Sequence, residues 1–134
     1  MRNDYTHHLA LALFLLRISV FLVMAMWSLD KLVSPGHAAA VFGNFYGMDL
    51  SVAGLMAIGI AQLLVEVAFV LGLWRFWTYG YVVVAHGIST LSSWKQYLDP
   101  FENLLFFAAI PMLAAAVALF LLRDQDRLFT VPRG

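Results

Sequence analysis

The chain has 134 residues, of which 63% are hydrophobic and 12% are charged, and its mean hydropathy is +0.84. Soluble domains contain about 45 to 50% apolar and about 25% charged residues, so this composition excludes an ordinary soluble fold and indicates a protein of the lipid bilayer. The absence of cysteine excludes thiol exchange and iron–sulfur ligation, and the formal charge of zero offers no basic surface for nucleic acid.

Four long apolar runs predict four membrane-spanning helices, each close to the length of about 20 residues that a bilayer requires. Together they form one domain over 1–134, an all-α, antiparallel four-helix bundle. The aromatic stretch 37–49 predicts a short interfacial segment between the first two helices. Pro111 predicts a kink in the last helix. The predicted spans are about 9–32, 52–74, 78–93 and 101–122.

The distribution of basic residues predicts the orientation of this bundle. With four spans, both termini lie on one side of the membrane. That side carries arginine in both tails and in the short second turn, whereas the other side carries only Lys31 and Lys95, so the positive-inside rule places both termini in the cytoplasm. In a prokaryote the membrane is the inner membrane. The arginines of the cytoplasmic side are Arg2, Arg75, Arg123, Arg127 and Arg133.

Three ionisable residues lie inside the predicted spans, where an unpartnered charge costs roughly 2.5 to 3.5 kcal/mol. Arg17, Glu66 and His86 each lie eight residues from the predicted cytoplasmic end of their helix. At 1.5 Å per residue, all three are about 12 Å deep. We therefore expect one buried cluster in which Arg17 pairs with Glu66.

Helical spacing extends this inner cluster. Gln62 precedes Glu66 by one turn, and Ser89, Thr90 and Ser93 follow His86 on the same side of its helix. Two interpretations stay open: an ion pair that holds the helices in register, or a proton-accepting or quinone-headgroup site. In the second, His86 carries the proton, since histidine is the side chain that changes charge near neutral pH.

A second, shallower cluster is predicted at the outer ends of the spans. In the alternative interpretation these residues form no cluster, and each charged side chain reaches water independently at its helix end. Since His7, His8 and His37 lie outside the bilayer, His86 has no histidine partner there, and neither a metal site nor an intrinsic haem is predicted. Quinone is the one cofactor that the polar sites would suit. The outer-end residues are Asp30, Lys31, Asp99, Glu102 and Asn103.

The first half of the chain resembles the DoxX-like family of small four-helix membrane proteins, which includes relatives of the methylamine-utilisation protein MauE. The matching stretches are Leu-Leu-Arg17, Leu-Asp-Lys31-Leu-Val-Ser-Pro35, Glu66 and Gly72-Leu-Trp-Arg75. The resemblance implies an accessory membrane subunit near quinone chemistry, with Arg17, Lys31, Glu66 and Arg75 as the carried-over positions. The disulfide chemistry linked to MauE-type relatives does not fit a chain without cysteine.

Three functions are consistent with the sequence. The first is a subunit of a respiratory or redox complex that supplies a quinone-facing or proton-handling pocket, without being an enzyme by itself. The second is a small transporter or exporter, which with four spans would need to oligomerise. The third is a structural or assembly subunit. The expected partners are lipid and either another membrane protein or further copies of the chain, while nucleic acid is not expected.

Overall fold

The computed structural model describes residues 2–132, with side chains from Asp4 onward. The all-α prediction is confirmed in this range, which contains no strand. Arg133 and the side chain of Arg2, both used to predict the orientation, lie outside the described residues. The α-helices are α1 (Arg2–Val33), α2 (Pro35–Val41), α3 (Val52–Val70), α4 (Arg75–Ser92), α5 (Trp94–Tyr97) and α6 (Ala109–Leu121).

Three helical segments of the described residues are long and apolar enough to cross a membrane: Asp4–Val33, Val52–Val70 and Leu104–Leu121. The chain is therefore a membrane protein. The fourth long helix, α4, carries Arg75, His86 and several hydroxyl groups and is not among these three. The first helix begins at Arg2 rather than near residue 9, because the polar start of the chain continues the same helix.

The four long helices pack in a closed ring of contacts. Helix α1 contacts α3 and α6, and α4 contacts the same two helices. Apolar side chains from all four helices meet between them, whereas many leucine, valine and aromatic side chains point outward, as lipid contact requires. The shared core consists of Leu13, Val20, Met24, Phe69, Tyr79, Val82, Ala116 and Leu119.

The turn between α3 and α4 covers residues 71–74, so it begins earlier in the chain than the predicted span 52–74 implies. Helix α3 ends at Val70, and both Gly72 (φ +76°) and Trp74 (φ +45°) adopt left-handed backbone conformations. A Cβ atom on Gly72 would lie 2.8 Å from Cγ2 of Thr130, so glycine is required there by both conformation and space. The predicted end of the second span is wrong by about one helical turn.

The predicted span over 101–122 agrees with the apolar segment Leu104–Leu121, but its first part is not α-helical. The chain forms 3-10 turns at Pro100–Glu102 and Leu104–Ala108 before α6 begins at Ala109. Pro111 lies in the first turn of α6, where its missing N–H costs no hydrogen bond, so it marks the beginning of a helix rather than a kink.

The segment between α1 and α3 consists of α2 and a π-helical turn, Phe42–Tyr46. Pro35 occupies the start of α2, which suits its fixed φ and missing N–H. Gly47 ends the π-helical turn with a φ of +65°. This segment lies against the end of α1 and against α3.

Candidate functional site

Arg17 lies on α1 with no exposed surface, and the C-terminal tail neutralises it. Its guanidinium forms an ion pair with the carboxylate of Asp126, which is equally buried, and it donates to the backbone carbonyl of Leu128. The Tyr79 hydroxyl donates to the other Asp126 oxygen at 2.6 Å. The predicted pairing of Arg17 with Glu66 is therefore wrong.

The error lies in the depth assigned to Arg17. Glu66 contacts Ser28, which is eleven residues after Arg17 on α1. At 1.5 Å per residue, Arg17 and Ser28 are about 16 Å apart along the helix axis. The depth of Arg17 was counted from Leu9, the predicted start of the first span, but the helix begins at Arg2. The start of the apolar run therefore does not lie at the same depth as the ends of the other helices.

The C-terminal tail, residues 122–132, folds back against the end of the helices. It completes the site formed by Arg17, Asp126 and Tyr79, here called the Arg17 site. The Val131 amide donates to the Leu71 carbonyl at 2.8 Å, and the rings of Phe14 and Phe129 lie 5.0 Å apart. Arg75, a position carried over from the family resemblance, donates to the carbonyls of Gly72 and Arg123. It joins the tail to the α3–α4 turn.

Asp126 is in neither of the clusters that the sequence predicts. One signal was present: a carboxylate stands among the arginines of the tail, while an intramembrane arginine elsewhere requires a counter-charge. Nothing in helical periodicity relates residues 109 positions apart, so only the folded chain identifies them as partners.

Glu66 forms a separate buried site between α1, α3 and α4, here called the Glu66 site. Its side chain is 1% exposed. The Ser28 hydroxyl lies 2.8 and 2.9 Å from the two carboxylate oxygens and donates to the carboxylate, and the Tyr81 hydroxyl donates to it at 3.2 Å. No cation among the described side chains lies within ion-pair distance of this carboxylate.

Lys31 and Gln62 border the Glu66 site. The Lys31 ammonium acts electrostatically on both Glu66 and Asp30, and it donates to the Trp27 carbonyl at 3.3 Å. The side-chain oxygen of Gln62 is buried and, among the described residues, has no hydrogen-bond partner. Both predicted members therefore lie near Glu66, although Lys31 was assigned to the outer cluster.

The close approach of α1 and α3 forms this site. A Cβ atom on Gly59 would lie 2.9 Å from the Ser28 carbonyl oxygen and 3.0 Å from Cβ of Lys31. Contacts this short exclude a side chain without movement of one helix. Gly59 thus allows the two backbones to come close enough for Ser28 to reach Glu66.

His86 belongs to neither buried site. Its Nε2 lies 2.9 Å from the Ala109 carbonyl oxygen, so this nitrogen carries the proton and donates to α6. His86 follows Tyr81 by five residues, a rotation of about 140° around α4, which places it on another face of the helix. It follows Tyr79, which contacts the partner of Arg17, by seven residues, or about 10 Å along the helix axis. The predicted joining of His86 to Arg17 and Glu66 is therefore wrong.

The hydroxyl groups that follow His86 do not extend the inner cluster as helical spacing predicts. The Thr90 hydroxyl donates to the His86 carbonyl at 2.7 Å, and the Ser93 hydroxyl donates to the Ser89 carbonyl at 3.2 Å. Both bonds return to the carbonyl of the preceding turn of α4, as serine and threonine hydroxyls often do in helices. They satisfy the helix locally rather than extending from one side chain to the next.

The predicted outer cluster divides into two groups. Asp30 lies near Lys31 and pairs with His37 of α2, whose Nδ1 is 2.6 Å from the Asp30 carboxylate. Asn103 donates to the Asp99 backbone carbonyl at 2.9 Å, and Asp99 and Glu102 are exposed. No described hydrogen bond or ion pair joins the two groups, so the prediction of one cluster is wrong, and His37 was the partner that it missed.

Comparison with known proteins gives no match to a protein-family model, to a curated protein or to a solved structure. Among the described residues, no group of three or more histidine, cysteine, aspartate and glutamate side chains could hold a metal ion.

Proposed function

We propose that the chain is an accessory membrane subunit of a redox complex and that the Glu66 site handles protons beside a quinone. The observation that carries the proposal is a buried carboxylate held by two hydroxyl groups instead of a salt bridge. Arg17, by contrast, is bound to a fixed carboxylate and to backbone carbonyls. Its charge is therefore balanced within the chain.

The chemistry of the Glu66 site supports this proposal. A carboxylate whose donors are hydroxyl groups can gain or lose a proton without breaking an ion pair, and ionisable groups in spanning helices commonly serve proton relays. The Tyr81 hydroxyl already donates to Glu66, and the unpartnered oxygen of Gln62 would accept a hydrogen bond from a quinol hydroxyl group. Lys31 supplies positive charge nearby and forms no ion pair with Glu66.

The proposed architecture is an antiparallel bundle in which all four long helices cross the bilayer. The ring of contacts supports it, since α4 packs between α3 and α6, both of which are long and apolar enough to span. We place both termini in the cytoplasm because Arg75, Arg123 and Arg127 lie in the α3–α4 turn and the tail, and Arg75 bonds to the tail.

We also propose membership of the DoxX-like family, on the same four positions. In the fold they divide in pairs: Arg17 and Arg75 hold the tail, whereas Lys31 and Glu66 lie at the Glu66 site. The first pair would preserve the structure of such a protein and the second pair its chemistry.

The test is proton-linked quinol oxidation in membranes from cells that lack the chain, complemented with the wild type or with Glu66→Gln. Loss of a group that transfers protons commonly costs 10²-fold or more, so we expect a fall of roughly 10²-fold. The matched control is Glu102→Gln, which changes an exposed carboxylate and should leave activity unchanged. Full activity of Glu66→Gln, at wild-type levels in the membrane, would contradict the proposal.

The second candidate function is a structural or assembly subunit, and the closed Arg17 site favours it. Identifying the proteins that copurify after mild solubilisation distinguishes the proton-handling function from the assembly function. A redox enzyme whose activity survives Glu66→Gln, but which is lost from the membrane when the chain is absent, would support the assembly role. A homo-oligomer alone would instead support the transporter predicted as an alternative.

A further inference from the structure

The Asp30–His37 pair lies beside the Glu66 site but closer to water. His37 has 61% of its side chain exposed and Asp30 has 26%, and their 2.6 Å contact is a direct hydrogen bond between an imidazole and a carboxylate. Asp30 is next to Lys31 in the chain. Asp30 is also thirteen residues, or about 20 Å, along α1 from Arg17, so this pair lies far from the Arg17 site.

A small cavity lies beside Asp30 and Lys31. It lies between α1 and the α2 segment, is lined by Asp30, Lys31 and four other side chains, and has room for about one water molecule. The Lys31 ammonium has three N–H donors, and its described hydrogen bond, to the Trp27 carbonyl, uses one. The remaining lining residues are Trp27, Ala38, Val41 and Phe42.

The charges around this cavity argue against an anionic ligand. Lys31 is influenced by two carboxylates, Glu66 on one side and Asp30 on the other, so an added anion would meet two negative groups and one positive group. A water molecule fits the size of the cavity and could carry a proton between its polar groups. The polar groups facing Glu66 are Lys31 and Ser28 from α1 and Tyr81 from α4, and the group facing His37 is Asp30.

We propose that His37 and Asp30 take up the protons that Glu66 receives, which rests on the proposed proton exchange at Glu66. His37 binds a proton from the aqueous phase and passes it to Asp30, a water molecule in the cavity carries it past Lys31, and Glu66 accepts it. Lys31 stays charged: its N–H groups orient the water, and its charge offsets that of the carboxylates. One proton moves from water to Glu66, no electron is transferred and no bond between heavy atoms changes.

The test follows the protonation of Glu66 in the purified full chain, reconstituted in vesicles. The infrared carboxyl band that Glu66→Gln abolishes reports this group, and a rapid fall in pH on the His37 side starts the reaction. We expect the band to rise roughly 10²-fold more slowly in His37→Ala and in Asp30→Asn, because each change removes a group that transfers the proton. Added imidazole should restore the rate in His37→Ala, because it replaces the missing base.

Matched controls are His7→Ala, an exposed histidine near the other end of α1, and Asp99→Asn, an exposed carboxylate outside the pair. In both controls the Glu66 carboxyl band should rise at the wild-type rate. Circular dichroism checks that each variant is folded. An unchanged rate in both His37→Ala and Asp30→Asn would overturn this inference while leaving the proposed function intact. If no band sensitive to Glu66→Gln responded to pH, the proposed function itself would fail, and this inference with it.

Discussion

At the scale of single residues, the two buried charges of this chain are stabilised in different ways. Arg17 has a carboxylate of opposite charge and backbone carbonyls around it. Glu66 has hydroxyl donors, with a lysine nearby but outside ion-pair distance. Removing one member of a buried ion pair leaves an uncompensated charge, whereas removing a hydroxyl donor from a carboxylate leaves its other donors in place. The Arg17 site should therefore respond most strongly to single substitutions.

We predict strong coupling between Arg17 and Asp126. Arg17→Met and Asp126→Ala should each lower the free energy of unfolding by about 3 to 5 kcal/mol, because each strands a buried charge. The double variant should lose clearly less than the sum of the two. Reversible unfolding in mixed detergent micelles measures all three.

The control for this cycle is Asp124→Ala, an exposed carboxylate of the same tail, which should change stability by no more than about 0.5 kcal/mol. A second cycle, Arg17→Met with Glu66→Gln, should be additive, because the two groups share no partner. Additivity in the first cycle, or coupling in the second, would show that the pairs are assigned wrongly.

At the scale of helices, the contact between α1 and α3 depends on Gly59 rather than on the alanines of α3. Ala53, Ala57 and Ala61 recur every four residues, yet all three are exposed in the described chain. Gly59 is buried, and it faces the backbone of Ser28 on α1. The close approach therefore occurs on the other side of α3 from the regular small-residue stripe.

We predict that Gly59→Ala destabilises the chain and weakens the Ser28–Glu66 hydrogen bonds. Forcing a methyl group into a closely packed contact costs about 1 to 3 kcal/mol. Gly87→Ala is the matched control: it is also within a helix, but its Cβ would lie 3.8 Å from Cδ1 of Leu113, an ordinary contact. Thermal unfolding should show a lower Tm for Gly59→Ala and an unchanged or higher Tm for Gly87→Ala. Equal Tm values would show that α1 and α3 do not meet at Gly59.

At the scale of the whole molecule, the tail and the α3–α4 turn lie at one end, and the α2 segment lies with the far end of α1. The segment that follows α4 begins with α5, Trp94–Tyr97. It lies on one side of the membrane if α4 crosses the bilayer and on the other side if α4 does not. Four spanning helices place that segment with α2, on the face away from the tail.

We predict that single cysteines at Asn44 and Lys95 react with a membrane-impermeant thiol reagent from one face, and cysteines at Trp74 and Gln125 from the other. The chain has no cysteine of its own, and all four positions are exposed. A cysteine at Leu64, exposed on the lipid-facing surface of α3, is the control that should react from neither face. Reaction at Lys95 from the same face as Gln125 would show that α4 does not span.

Much of this arrangement was predictable from local pattern. Hydropathy located the long apolar helices, and Pro35 and Gly36 located the break after the first of them, because both signals act within a few residues. The burial of Arg17, Glu66 and His86 was also inferred, since an ionisable side chain in an apolar run requires partners. Their mutual contact was not correctly inferred, because depth counted from an assumed helix end carries every error in that end.

Local sequence pattern is enough to indicate the helical class, the membrane environment and the need of each buried polar group for a partner. The partners themselves are identified by the packing of the folded chain: Asp126 for Arg17, Ser28 and Tyr81 for Glu66, the Ala109 carbonyl for His86 and Asp30 for His37. The difference arises because burial and hydrophobicity are properties of single residues and short segments. Pairing depends on helix register, on the rotation of each face and on the path of the tail, which are set when distant segments pack together.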